Sequence, residues 1–166
     1  MIYDRLMGYE PSAEELRHLN RCVELAAEGL ESADEPFGSV LVAASGTVLF
    51  EDRNRVAGGD QTRHPEFEIA RWAAANMTPE ERAAATVYTS GEHCPMCSAA
   101  HGWVGLGRIV YIMSARQLVG LRTELGVPPG PVNAIPIQDV VPGVRVDGPV
   151  AALEATMRDL HTRACA

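Results

Sequence analysis

Ala85-Thr86-Val87-Tyr88-Thr89-Ser90-Gly91-Glu92-His93-Cys94-Pro95-Met96-Cys97 carries the chain from one kind of backbone to another. Its first six residues are rich in β-branched and aromatic side chains, which suits a strand. Gly91 breaks that run. Met96 through Leu106 is small and apolar with no internal proline, which suits a buried helix. Cys94 and Cys97 then fall at a helix start, where the positive end of the dipole favours thiolate over thiol by roughly 0.3–1 kcal/mol.

Upstream, His64-Pro65-Glu66 reads as a second helix start. Proline is favoured at the first helical position, where its missing N–H costs nothing. Phe67, Ile69, Ala70, Trp72, Ala73 and Ala74 continue with a mostly apolar face. The two-residue gap between Cys94 and Cys97 lets two thiolates share one ion, and His64 can supply a third donor. Three protein ligands leave a tetrahedral Zn²⁺ with an open position for water, whose pKa falls to about 7. Residues two apart on a helix do not face each other, so Glu66 is expected to carry protons rather than ligate, with Glu68 as its competitor. Two other readings of the cysteines stay open: a redox pair at a strand-to-helix junction, and a closed structural zinc site with His101 as fourth ligand.

The bulk properties narrow the field. At 166 residues the chain fits one ordinary domain, 1–166, able to bury a core without staples. The net charge is −8, and all 14 basic residues are arginine. The absence of lysine excludes a P-loop lysine and a Schiff-base lysine. The acidic balance argues against nucleic acid as a partner, since such binders present a basic stripe. Met1 to Glu10 has charges and no apolar signal-peptide core, and no 18-residue apolar run spans a membrane. Cys22 and Cys165 are isolated, so a reducing cytoplasm is the expected compartment.

Ser12-Ala13-Glu14-Glu15 is a capping box opening a helix that ends near Glu31-Ser32. Strands are expected at Gly38–Ala44 and Thr47–Asp52, joined by a turn at Ser45-Gly46, and at Arg108–Met113. A shorter helix runs from about Ser114 through Leu121. Residues 126–149, with six prolines, form an extended connector with short strands at Ile135-Pro136-Ile137 and Val144-Arg145-Val146, and could cover the site. A last helix covers about 150–163. Trp103 is read as core or pocket wall, and His93 as pocket-lining or helix-capping.

The residues now assembled resemble the cytidine deaminase superfamily, whose zinc signature is H-x-E followed by P-C-x-x-C. Pro36-Phe37-Gly38-Ser39-Val40-Leu41-Val42, Asn54-Arg55-Val56, Asp60-Gln61-Thr62-Arg63-His64-Pro65-Glu66 and Thr89 to Cys97 are similar to motifs of its bacterial guanine and tRNA adenosine deaminase branch. The match covers about residues 36–113. It implies a three-layer α/β/α sandwich around a mixed sheet, one Zn²⁺ on His64, Cys94 and Cys97, and Glu66 as proton shuttle. It implies Asn54 and Phe37 as substrate contacts, and a homodimer or higher assembly to which Gly102–Val110 would contribute. The expected substrate is a free nucleobase, guanine-like first, with aminopyrimidines, pterins and triazines behind it. Adenosine in tRNA is the alternative, and a non-catalytic structural-zinc or redox protein the reading from another class. Two residues depart from the family pattern: Pro65 stands where alanine offers a backbone N–H, and His93 stands where proline precedes the first cysteine.

Overall fold

The computed structural model describes residues 8–166. Part of the Met1–Glu10 reading therefore lies outside the described residues. Helix α1 (Ala13–Glu31) opens on the expected capping box: Ser12 Oγ accepts from the Glu15 N–H while the Glu15 carboxylate accepts from the Ser12 N–H. Strands β1 (Gly38–Val42) and β2 (Val48–Arg53) form a hairpin. They are followed by α2 (Pro65–Asn76), α3 (Pro79–Ala84), β3 (Thr86–Gly91), α4 (Pro95–Val104), β4 (Arg108–Met113) and α5 (Ala115–Glu124). The chain closes with a single-turn α6 (Ile137–Val140), a two-residue β5 (Val146–Asp147) and α7 (Ala151–Ala164).

The sheet order is β2-β1-β3-β4-β5. β1 pairs antiparallel with both β2 and β3, whereas β3–β4 and β4–β5 are parallel. Side chains alternate across each strand, and the two faces bury different partners. Val40, Val42, Tyr88, Val110 and Ile112 pack with Leu19 and Leu25 of α1 and Met157 and Leu160 of α7. Leu41, Val87, Ile109 and Tyr111 pack with Ile69 of α2, Leu106 beyond α4 and Ile137 of α6. The result is the expected α/β three-layer sandwich around a mixed sheet. α1 lies so close to β1 that a Cβ on Gly38 would meet the Cys22 carbonyl oxygen and Leu25 Cβ at 2.5 Å.

The C-terminal third departs from expectation. Ile135-Pro136-Ile137 is not a strand: Pro136 caps α6, and Ile137 is buried in the core. Proline has no N–H for a sheet ladder, and it terminates the extended connector instead. The second strand candidate survives only as Val146–Asp147, paired with Ile109 and Val110. Helix α3 escaped the sequence reading, although Thr78-Pro79-Glu80-Glu81 is a capping box with proline at the first position. Trp103 is neither core nor pocket wall; it projects outward, 90% exposed. Among the described residues no helix is long and apolar enough to cross a membrane.

Candidate active site

Two helix starts meet on the α2–α4 side of the sheet. His64 caps α2 and Cys94 caps α4, each with extended backbone, and a proline follows each at the first helical position. His64 Nδ1 lies 3.6 Å from both Cys94 Sγ and Cys97 Sγ, and the two sulfurs are 3.5 Å apart. Zn–S bonds of about 2.3 Å and a Zn–N bond of about 2.0 Å at the tetrahedral angle require S···S near about 3.8 Å and S···N near about 3.5 Å. The spacing and the nitrogen and sulfur donors fit a zinc ion, which His64, Cys94 and Cys97 would hold, and His64 and Cys94 also line a cleft. Hydrogen bonding with Cys97 and His64 holds Cys94 down to about 4, whereas its hydrogen bond with Cys94 and its burial push Cys97 well up. The hydrogen bond with Cys94 raises His64.

His101 does not join this group. Its Nε2 faces the Gly107 carbonyl oxygen at 2.8 Å, and its Nδ1 is unpartnered. His93 neither lines the cleft nor caps α4. It is buried against His101, ring edge to face at 5.2 Å, with both nitrogens unpartnered. A residue read as pocket-lining or helix-capping is thus core, because its side chain turns inward before Cys94.

Glu66 lies on the cleft floor, only 5% exposed. Its position follows from strand register. Ser39 of β1 stands opposite Thr89 of β3, and both side chains point to the α2 face. Their hydroxyls are 2.8 Å apart, and each lies 3.0 Å from Glu66 Oε1. Burial raises the Glu66 pKa, opposed by the neighbouring His64 and by the Thr89 hydroxyl. The competitor Glu68 instead pairs with Arg63 at 3.4 Å and is absent from the cleft lining.

The cleft encloses about 170 Å³. Asn54 and Phe37 both line it. The Asn54 amide oxygen accepts the N–H groups of Glu35 and Val56, which leaves its NH₂ end as donor. Phe37 is backed by His161 of α7 at 4.9 Å. Pro65 forms part of the wall, so no N–H is offered there.

Three further charged residues of the cleft carried no assigned role in the sequence reading. Glu92 belongs to the motif before Cys94; its two oxygens accept the N–H groups of Ala115 and Ile137, the first residues of α5 and α6. Glu35 pairs with Arg122 of α5 at 2.9 Å. Both are over a third exposed, so that pair is worth at most about 1 kcal/mol. Nothing local in the sequence marks it, since 87 residues separate the partners.

The model of the cytidine and deoxycytidylate deaminase zinc-binding region matches residues 12–113. This chain belongs to that family. The deaminase is 30% identical over 126 residues to a probable cytosine deaminase of Schizosaccharomyces pombe, covering 75% of this chain and 76% of the relative. It is 35% identical over 95 residues to the guanine deaminase of Bacillus subtilis, covering 56% of this chain and 60% of the relative. The solved guanine deaminase of Nitrosomonas europaea shares its fold, with a TM-score of 0.70 at 19% identity over 96% of this chain and 88% of that one. The family match and the grouped His64, Cys94 and Cys97 donors make it a zinc-type hydrolytic deaminase, and the redox and structural-zinc readings fall away.

Proposed function

We propose that this protein is a zinc-dependent hydrolytic deaminase of a free nucleobase or close analogue, releasing ammonia. The observation that carries the reading is Glu66, buried on the floor of a small cleft beside the His64, Cys94 and Cys97 donors. His64, Cys94 and Cys97 would hold the ion, which when bound supplies Lewis acidity that makes hydroxide available near neutral pH. Glu66 then has a general acid–base task. Its carboxylate takes one proton from the attacking water and passes it to a ring nitrogen; it then takes the remaining hydroxyl proton from the attacked carbon and passes it to the amine as the C–N bond breaks and ammonia leaves. The Ser39 and Thr89 hydroxyls fix Oε1, so Oε2 is the oxygen that moves protons. Asn54 donates its amide NH₂ to the ring, and Phe37 supplies an apolar wall.

The cleft volume supports a free base. Pockets for drug-sized ligands run about 300–1,000 Å³, and this one is smaller. The acidic chain, and a cleft whose one arginine is already paired, support the same choice over tRNA. Ammonia release across guanine, isoguanine, adenine, cytosine, isocytosine, pterins, aminotriazines and the matching nucleosides tests the reading. Turnover confined to free bases is expected; silence across the panel sinks it.

A further inference from the structure

Of the three carboxylates lining the cleft, two are committed. Glu66 is held by Ser39 and Thr89, and both oxygens of Glu92 accept helix-start N–H groups. Glu35 is different. Its Oε1 accepts from Arg122 Nη2, and among the described residues no hydrogen-bond partner engages its Oε2. Its own N–H is held by the Asn54 side chain, and its carbonyl oxygen accepts the Phe37 N–H. Glu35 is therefore tied through the backbone to the two residues proposed to touch the ring. Arg122 spends one N–H on Glu35 and retains others, a planar fork of donors beside a carboxylate acceptor. The pair is hydrated and weak, so a ligand that supplies both partners can replace the water around it without breaking a buried contact.

An acceptor and a donor side by side match a ring edge carrying N–H next to a lone pair. Free cytosine has that edge at N1–H and the 2-carbonyl; free guanine has it at N9–H and N3. In both bases it is the edge that carries the sugar in a nucleoside. We propose that Glu35 and Arg122 form a free-base selector: the carboxylate accepts the ring N–H, and the guanidinium donates to the neighbouring acceptor. A nucleoside presents no N–H there and places its sugar against the pair. The assignment rests on the deaminase reading above and names the substrate form that it takes.

N-methyl analogues test this, because a methyl group removes the N–H while adding little bulk. Initial rates of ammonia release by the zinc-loaded protein are compared for cytosine and 1-methylcytosine, and for guanine and 9-methylguanine. Methylation should lower kcat/KM about tenfold or more, the usual effect of losing a hydrogen bond to a charged group. Glu35→Ala should raise KM for the parent base by a similar factor and abolish the discrimination, with kcat and zinc content unchanged. Arg122→Ala should raise KM for the parent base in the same way, giving a second variant that leaves Glu35 in place. Equal turnover of parent and methylated bases by the wild type overturns the selector and leaves the deaminase standing, as does a Glu35→Ala variant that still discriminates. Failure of the wild type to turn over any of the four overturns the selector and removes its two model substrates; the wider panel then decides the deaminase reading separately.

Discussion

Glu66 and Glu68 stand two apart in the first turn of α2, yet one is enclosed by strand hydroxyls and the other is drawn outwards to Arg63. Glu66→Gln should therefore keep fold and zinc while lowering ammonia release about 10²- to 10⁴-fold, the range for a lost general acid–base group; steady-state rates with metal analysis check it. Ser39→Ala should do less, because Thr89 still holds Oε1; a fall of up to about tenfold in kcat is expected. The two helix starts that carry His64 and the cysteines were legible in the sequence because proline placement and the Cys94/Cys97 spacing are local properties, and the structure brings them together with Glu66 beside them. Glu35 and Arg122 were not, since only tertiary packing brings them together. His93 was misread for the same reason: a chain-adjacent position to a ligand says nothing of which way the side chain turns.

Element boundaries were most legible where a cap and periodicity spoke together, as in α1; the β1–β2 hairpin and α7 were placed without a cap signal, their ends displaced by one or two residues. The connector was not, because two isoleucines flanking a proline carry no period, and burial of Ile137 decided the matter. Gly38 shows a demand that propensity alone does not state: no side chain fits between α1 and β1. Gly38→Ala should cost about 1–3 kcal/mol or more through forced backbone shifts, read from urea unfolding. Glu92 links the starts of α5 and α6 to the strand that leads to the cysteines. Glu92→Ala should remove hydrogen-exchange protection at the Ala115 and Ile137 amides and raise KM, with zinc content unaltered.

Across the molecule, acid sensitivity follows from histidines buried without charge. Burial and nearby Arg122 push His161 down to about 4, whereas an unfolded histidine titrates near about 6.5. The unfolded state thus binds its proton first as pH falls. Stability is full above about 6.5 and is lost progressively towards 4, amounting to about 2 kcal/mol by pH 5 for this one group. His93, also held well below its ordinary value by burial, adds in the same direction. His161→Leu should flatten the dependence, measured by urea unfolding at pH 7 and pH 5. The order of layers was readable from the resemblance, but the division of the cleft between its two walls was not. One wall is the rigid floor of α2, α4 and the central strands. The other is α5 and residues 132–135, fastened by Glu92 and by the Glu35–Arg122 pair. Val119 and residues 132–135 face the cleft from the wall that holds none of the zinc donors, so a library randomised there should shift which bases are turned over while metal content stays whole, read by ammonia release and zinc analysis.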